Sequence, residues 1–209
     1  MQLDHIAVGA LTLEAGVAYV KNRLGVDIPP GGAHPLMGTH NHLMRLGEGL
    51  FLEVIAPDPL ALPSRPRWFA LDDGDMHSRL AVSPRLITWV VRVADLGVAL
   101  AELGVAAGQA VRVSRGTLSW SIAVPADGSM PFDGAFPTLI EWPAGVHPSA
   151  AMADLGCRLE ELRIGHPQAA LIERSLDAKL VDARVHFHET RETTIEAIMR
   201  TPKGICRLN

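Results

Sequence analysis

Hydrophobic and polar positions near the start of the chain change from one periodicity to another. The segment LDHIAV, from Leu3 to Val8, is a short, mostly apolar run that is typical of a buried strand. Residues 12–25 then place apolar side chains at helical spacing, with Thr12 as the predicted N-cap and Gly25 just after the last turn. The chain is therefore predicted to begin with a strand and a helix.

The same order of elements recurs in the middle of the chain. LITWVV, from Leu86 to Val91, predicts a second buried strand, and Asp95 and Gly104 mark the start and the end of the helix that follows. In each copy a Gly-Thr pair then opens an alternating segment, and a later strand carries an acid: Glu53 in FLEVIAP and Glu141 in TLIEWPAG. The sequence thus contains an internal repeat of a strand, a helix and a run of strands.

The repeat sets the predicted domain organisation and fold class. Residues 1–60 and 86–148 form two βαβββ modules, separated by a proline-rich linker at 61–85. Residues 149–209 predict a partial third βαββ unit packed on the same domain, in which Pro167 precedes a helix and VHFHETRE pairs with TTIEAIMR as a hairpin. We predict an α+β fold in which the paired βαβββ modules form a cupped, barrel-like mixed sheet with helices outside.

Composition narrows the expected partners and location. A net charge of −4 and a pI near 6.1 do not supply the clustered Lys and Arg that nucleic-acid binding needs. No apolar stretch approaches the roughly 20 residues of a membrane-spanning helix, and the opening MQLDHIAV lacks the features of a signal peptide. We expect a cytoplasmic protein without a nucleic-acid or membrane partner. The two cysteines lie outside any CxxC pair and indicate neither a zinc knuckle nor a disulfide framework.

Several familiar catalytic motifs are missing from the sequence. It has no GxSxG elbow, no Walker A loop, no GxGxxG after a predicted strand and no HExxH. Serine hydrolase, nucleotide-dependent and zincin functions are therefore not indicated.

The repeat also directs four polar residues toward one cavity. Because side chains alternate along a strand, His5 is predicted to share a face with Leu3 and to meet Glu53 if their strands pair. Superposing the two copies places Thr88 at the position of His5 and Glu141 at that of Glu53. A pseudo-twofold arrangement would bring all four into one cup.

The ordered motifs resemble a known family. LDHIAV…GGAHPLMGTHNHLMRLGEGLFLEVIAPDP, followed by LITWVVRV…RGTLSWSIAVP…PTLIEW, is similar to the glyoxalase-like domain proteins of the vicinal oxygen chelate superfamily. That superfamily includes glyoxalase I, extradiol dioxygenases and antibiotic-resistance proteins. The resemblance covers about residues 1–148 well and the remainder loosely.

The resemblance implies a metal centre in the cup. Carried over position by position, the ligands are His5, Glu53 and Glu141, with Glu141 as the movable catalytic carboxylate. The implied cofactor is one divalent ion: Zn, Ni, Mn or Fe(II). Thr88 replaces an expected ligand with a neutral hydroxyl, so the resemblance is equally compatible with a member that has lost its metal and kept its pocket.

The glycine-rich stretch GGAHPLMGTHNH and its counterpart in the second copy predict the substrate side of the cup. The GTHN element is a recurrent signature of the family that the sequence resembles, and glycines before a strand are typical of loops at the mouth of a cavity. The predicted substrate-binding residues are His34, Thr39, His40, Asn41, Arg115 and Ser119.

Other histidines and two tryptophans leave alternatives open. The HxH pairs in THNH and VHFHE each provide only two metal ligands, and an exposed strand face explains the second pair equally well. Trp120 and Trp142 suit either the core or a pocket wall.

Three functions are consistent with the sequence. The first is a metal-assisted lyase or isomerase that acts on a small molecule with vicinal oxygens. The second is a metal-free protein that binds or sequesters a small molecule in the same cup, and the third is a dioxygenase, for which the matched positions offer only one histidine, His5. A small-molecule ligand is expected in each case. Modules of this kind commonly pair, which is compatible with a homodimer, but a chain with two and a half modules can also build its cup internally.

Overall fold

The computed structural model describes residues 1–103, 107–145, 147–176 and 179–209. The first sheet contains β1 (Gln2–Gly9), β2 (Pro30–His34), β3 (Thr39–Gly47), β4 (Leu50–Pro57), β5 (Arg85–Arg92), β6 (Gln109–Arg115), β7 (Leu118–Val124) and β8 (Thr138–Glu141). The second contains β9 (Arg158–His166), β10 (Val185–Glu189), β11 (Thr194–Thr201) and β12 (Gly204–Leu208). The helices within the described ranges are α1 (Leu13–Leu24), α2 (Gly74–Val82), α3 (Leu96–Glu102) and α4 (Ala169–Leu176).

The large sheet joins the two predicted modules at their first strands. Its strand order is β2-β3-β4-β1-β5-β8-β7-β6, with β1 antiparallel to β5 at the centre and each first strand parallel to the last strand of its own module. The sheet curls until its two end strands, β2 and β6, approach each other across Gly32 and Arg115. The predicted α+β class, with paired βαβββ modules in a barrel-like mixed sheet, is confirmed.

The helices begin where the sequence predicts capping residues. The Thr12 hydroxyl accepts a hydrogen bond from the backbone N–H of Ala15, and α1 ends at Gly25, whose φ of 73° is left-handed. Asp95 caps α3 in the same way, whereas Gly104, its predicted end, lies outside the described residues. No helix in the described parts of the chain is both long and apolar enough to cross a membrane.

Residues 61–85, predicted as a linker, contain the short helix α2. Asp73 caps it through the N–H of Met76, and the buried faces of Met76 and Leu80 pack against the inner side of the large sheet. The helix is only 9 residues long and lies beyond a proline-rich stretch, so its period is hard to recognise in the sequence.

Buried apolar side chains form two groups, one on the outer face of the barrel sheet and one on its inner face. The outer group includes Leu52 and Trp89 and is covered by helices and by the second sheet. The inner group includes Ile55, Val90 and Ile122 and fills one part of the barrel. Polar residues occupy the remaining part of the interior.

The second sheet differs from the predicted C-terminal unit in its pairing. Its strand order is β10-β9-β11-β12, so the predicted hairpin between β10 and β11 is wrong: β9 lies between them. Helix α4 carries the chain across to make β10 parallel to β9, and the hairpin is instead β11–β12. The short strand β12, GICRL, adds a fourth strand to the predicted βαββ order.

Candidate functional site

A small cavity of about 40 Å³ lies inside the barrel, and we call it the cup. Its polar wall residues are His5, His34, Asn41, Glu53 and Arg115. The rest of the wall is apolar or aromatic: Leu43, Phe51, Trp68, Phe69, Trp120, Ile122, Ile140, Trp142, Pro148 and Met152. This volume is far below the roughly 300–1,000 Å³ usual for ligand pockets, so a ligand of more than a few atoms must displace part of the wall.

A β-bulge in β1 aims His5 into the cup. Leu3 pairs with Val91 and His5 pairs with Val90, so Asp4 is an extra residue in the ladder between β1 and β5. The bulge resets the alternation: Leu3 packs in the outer core, whereas His5 lines the cup. The prediction that Leu3 and His5 share a face is therefore wrong.

The same bulge brings the buried Asp4 carboxylate beside the His5 ring. His5 Nδ1 lies 2.7 Å from Asp4 Oδ1. Trp142 Nε1 donates to Asp4 Oδ2 at 2.9 Å, and His147 Nε2 lies 2.8 Å from the same oxygen. Because His147 Nδ1 accepts from the backbone N–H of Ser149, its Nε2 carries the proton and donates to Asp4.

These hydrogen bonds keep Asp4 ionised. Burial by itself would raise the pKa of Asp4, but the hydrogen bonds from His147 and His5 lower that pKa from 3.8 to about 2. An ionised carboxylate only accepts, so His5 Nδ1 is the donor of the pair. His5 Nε2 is then the ring atom left to face the cup.

His5 Nε2 faces Glu53 Oε2 at 3.6 Å. Both side chains are buried, and Phe51 stacks on the His5 imidazole with ring centroids 4.3 Å apart. Since Asp4 occupies Nδ1, a proton held by this pair resides on Nε2 or Oε2. The geometry therefore creates a proton-carrying pair at the wall of the cup.

Asn41 connects Glu53 to the other side of the cup. Its Nδ2 donates to Glu53 Oε1 at 2.6 Å and lies 3.4 Å from His34 Nε2. Its Oδ1 accepts from the backbone N–H of Gly32 and from Arg115. All four hydrogen-bonding positions of this amide are thus used within the protein.

His34 is a neutral, buried member of this network. Burial is the main reason that its pKa falls from 6.5 to about 3, and the nearby charge of Arg115 lowers it further. A neutral ring that accepts from Asn41 at Nε2 donates from Nδ1 to the Thr39 hydroxyl, 3.1 Å away. Thr39 therefore supports His34 from behind and is not itself part of the cup wall.

Two glycines at the start of this stretch allow the network to assemble. A Cβ on Gly31 would lie 2.2 Å from Asn41 Oδ1, and a Cβ on Gly32 would lie 2.8 Å from Arg115 Cδ. The absence of side chains lets Asn41 and Arg115 lie directly against β2. Arg115 thereby crosses from the last strand of the sheet order to the first.

Aromatic side chains form much of the remaining wall. Trp120 and Trp142 pack together with ring centroids 5.4 Å apart, and both of these residues line the cup. Trp68 and Phe69 come from the segment predicted as a linker. Phe69 has a φ of 60°, a left-handed conformation that costs a bulky residue free energy and that clusters at functional sites.

The structure does not bring Glu141 to the cup. Ile140 lines the cup, so its neighbour Glu141 projects from the opposite face of β8 and accepts a hydrogen bond from the Leu96 N–H at the start of α3, 2.8 Å away. In the strand register Ala7 pairs with Glu53, and the corresponding Val90 pairs with Thr138. Thr138 thus occupies the place of Glu53, and Glu141 is an odd number of residues away, which reverses its face.

Three further predicted residues lie outside the cup wall. Ser119 is beside Trp120, which faces the cup, so Ser119 points away from it. His40 precedes Asn41 and for the same reason faces outward, as does His42, whose ring contacts the Ile28 carbonyl. Thr88 is buried beside Ala7, and its hydroxyl donates to the Trp89 carbonyl.

The donor set does not fit the predicted metal centre. His5 and Glu53 are adjacent, but Glu141, the third predicted ligand, is committed to α3. Across the described ranges, no group of three or more His, Cys, Asp and Glu side chains is arranged to hold a metal ion. A catalytic zinc-type site needs about three protein ligands, and the cup brings together only two of the predicted ones.

Several residues of the site carry little or no signal in the sequence. Asp4 stands beside His5 in LDHI, and an acid next to a histidine in an apolar strand was a signal that could have found it. The segment after β8 supplies Met152 to the cup wall and His147 to Asp4, and nothing in their spacing indicates this. Trp68 lies in residues 61–85, whose prolines predicted only a linker between the two modules.

A cup inside paired βαβββ modules is the arrangement that the resemblance to glyoxalase-like proteins predicts. The chain belongs to the glyoxalase-like domain family, whose model matches residues 3–180. No curated protein matches the sequence.

Comparison with solved structures gives matches at low sequence identity. A hypothetical protein from Staphylococcus aureus is 11% identical, covers 97% of this chain and 92% of its own, and has a TM-score of 0.66. At this identity the likeness concerns the fold alone. A methylmalonyl-CoA epimerase from Mycobacterium tuberculosis is 19% identical over 71% of this chain and 90% of its own, with a TM-score of 0.42.

Proposed function

We propose that the protein is a small-molecule enzyme of lyase or isomerase type that moves a proton at a carbon next to a carbonyl group. The observation that carries this proposal is the 2.7 Å contact between Asp4 Oδ1 and His5 Nδ1, which leaves His5 Nε2 facing the cup. A buried carboxylate that orients an imidazole is a recurrent arrangement for a general base. The proposal differs from the sequence-based one in needing no metal ligand.

Each group in the network has a distinct part in the proposed step. The substrate C–H bond breaks, the proton goes to His5 Nε2, and the electron pair is delocalised onto the substrate carbonyl oxygen. The resulting imidazolium is stabilised by Asp4 on one side and by Glu53, 3.6 Å away, on the other. Return of the proton to a different carbon, or to the other face of the same carbon, completes an isomerisation.

Asn41 and His34 support this chemistry by position. Asn41 holds Glu53 Oε1, and the neutral His34 holds Asn41, so the carboxylate facing His5 is fixed before a substrate binds. Preorganised partners of this kind lower the cost of reorganisation during proton transfer.

Hydrogen–deuterium exchange tests the proposal without knowledge of the natural substrate. A panel of α-keto acids, α-hydroxy acids and β-diketones is incubated in D₂O with the protein, and loss of the α-proton signal is followed by NMR. We expect protein-dependent exchange for at least one compound, with a rate that falls by about 10²–10⁴ in His5→Asn. Thermal unfolding of the variant confirms that it is folded.

His40→Asn is the matched control, because His40 lies on the neighbouring, outward-facing strand position and its Nε2 has no hydrogen-bond partner within the described structure. We expect this variant to exchange protons at the wild-type rate. Exchange that persists unchanged in His5→Asn would contradict the proposed base.

A metal-free binding protein is the second candidate function. The observation that favours it is the saturation of Asn41, whose four hydrogen bonds all go to the protein itself, as in a rigid binding site. Stabilisation by compounds of the panel, with no exchange for any of them, would favour this second function over the first.

A further inference from the structure

The hydrogen bonds within the cup determine which groups remain for a ligand. Asn41 and His34 are occupied by each other and by Glu53, Thr39 and Gly32. The described wall residues with N–H donors left over include Arg115, through its guanidinium, and Trp68, through its buried indole. Apart from His5 and Glu53, the cup therefore offers a ligand mainly N–H hydrogen-bond donors and aromatic surface.

In the part of the chain that the structure describes, Arg115 is the one cation of the cup wall that carries a charge at every ordinary pH. Within the described residues its guanidinium makes a single hydrogen bond, from Nη1 to Asn41 Oδ1 at 3.3 Å, and has no carboxylate within ion-pair distance. A guanidinium has five N–H donors in a planar fork that matches a carboxylate. Most of that fork is unused by the protein.

The position of Arg115 is fixed by the backbone beside it. Its Cδ lies against Gly32, where a Cβ would be only 2.8 Å away. Arg115 therefore lies along β2 at the wall of the cup and is not extended into solvent. A side chain held in this way has already lost much of the conformational freedom that binding would otherwise remove.

Trp68 supplies a second, independent observation. It lines the cup, is 3% exposed, and its Nε1 is buried without a hydrogen-bond partner in the described structure. An unpaired buried donor costs free energy, and a bound acceptor removes that cost. Trp120 and Trp142 add flat apolar surface to the same cavity.

We propose that the cup binds a small, flat, apolar molecule with one carboxylate, such as an aromatic monocarboxylate. The carboxylate accepts hydrogen bonds from the Arg115 fork, and the ring lies among Trp68, Trp120 and Trp142. This ligand class rests on the proposed function, since a member that carries a C–H bond on the carbon next to its carboxylate would present that bond to His5. Its binding is measurable apart from proton transfer, with a member that lacks such a bond.

Binding of benzoate and of its neutral isostere benzamide tests the ligand class. Each compound is titrated against the wild-type protein by calorimetry and by tryptophan fluorescence, which the wall tryptophans report directly. Because hydrogen bonds between a guanidinium and a carboxylate are charge-assisted, we expect benzoate to bind at least about tenfold more tightly than benzamide. Equal affinity for the two, or no binding of benzoate, would overturn the proposal.

Substitutions on β6 test whether Arg115 is responsible for the preference for benzoate over benzamide. In Arg115→Gln we expect the affinity for benzoate to fall by about tenfold or more and that for benzamide to stay within about twofold. Arg115→Lys keeps the charge without the planar fork and should give an intermediate loss. Arg112→Gln, at an exposed outward position of the same strand, is the matched control and should bind both compounds as the wild type does. A benzoate preference that survives in Arg115→Gln would overturn the assignment.

The exchange assay separates this proposal from the previous one. Benzoate binding through Arg115 without proton exchange on any compound contradicts the proposed enzyme and leaves the ligand class intact. Proton exchange on neutral β-diketones without any carboxylate preference contradicts the ligand class and leaves the proton-transfer step intact.

Discussion

The two halves of the barrel share a backbone plan but contribute different chemistry to the cup. The first module supplies four of the polar wall residues, His5, His34, Asn41 and Glu53. The second module supplies Trp120, Ile122, Ile140 and Trp142, together with Arg115 at its edge.

The difference shows that a repeat in the sequence predicts the fold better than it predicts the site. Equivalent strands pair in equivalent ways, because the apolar alternation of both modules must cover the same kind of core. The polar side chains are under no such constraint. Glu53 of β4 lies in the cup, whereas the equivalent position of β8 is Thr138. The wall residue two positions further along β8, Ile140, is apolar.

The largest contrast is expected between Asn41 and Ser119, which the repeat aligns. Asn41→Leu leaves Glu53 Oε1, His34 Nε2 and the Gly32 N–H without their partner, and each unpaired buried group costs about 1–3 kcal/mol. We expect the free energy of unfolding in urea to fall by about 4 kcal/mol. Ser119→Ala, on the outward face of β7, should change it by less than about 0.5 kcal/mol. Losses of similar size in the two variants would contradict the assigned network.

A smaller effect should appear in the acid sensitivity of the first module. His34 has a folded pKa of about 3 and an unfolded value of 6.5, so the unfolded chain binds the proton first as the pH falls below 6.5. Its stabilising contribution is complete above pH 6.5 and is lost progressively down to about pH 3. At about 1.4 kcal/mol per pH unit, the protein should lose about 3 kcal/mol between pH 6.5 and about 4.5 from this residue.

Urea unfolding at a series of pH values measures this loss. The window above about pH 4.5 excludes Asp4, whose contribution is lost only as the pH falls from about 4 toward its folded pKa of about 2. The slope in His34→Gln should be lower than in the wild type by about one proton. Equal slopes would show that His34 is not held neutral in the folded protein.

The smallest effect is expected from divalent metal ions. Because Glu141 is bound to the start of α3, added Mn²⁺, Ni²⁺, Zn²⁺ or Fe²⁺ should not raise the midpoint of thermal unfolding. Because Glu53 lies in the cup and Glu141 on the outer face, we expect the unfolding temperatures of Glu53→Gln and Glu141→Gln to be equally insensitive to these ions. A stabilisation that both substitutions abolish would restore the three-ligand centre and overturn the assignment of Glu141 to the outer face.

Periodicity in the sequence was sufficient for the paired modules and for part of the site, but not for the pairing of the second sheet. The strand signals around Asn41 and Glu53 also determine which face these residues occupy, and the structure gathers them with His5 at the cup. Glu141 and Ser119 were selected by alignment of the two copies, and a displacement of one or three residues is enough to reverse a side chain on a strand. Sequence spacing does not resolve such a displacement when loops of different length intervene.

Other parts of the site depend on features that no local pattern encodes. The bulge at Asp4 arises only when β1 pairs with β5, and it is this pairing that turns both Asp4 and His5 toward the interior. The contact of His147 with Asp4 joins residues 143 positions apart. Long-range contacts of this kind follow from packing of the whole domain.

Arg115 also determines how the barrel is closed. The strands β2 and β6 are the free ends of the sheet order. In the described structure the Arg115 side chain lies against Gly32 of β2 and reaches past it to donate a hydrogen bond to Asn41 of β3. Separating these two ends therefore breaks no backbone ladder, and movement of one arginine widens the wall while every paired strand keeps its partners. Because the same guanidinium bridges the two ends of the sheet and faces the cup, a ligand bound to Arg115 would compete with the contact that holds these ends together.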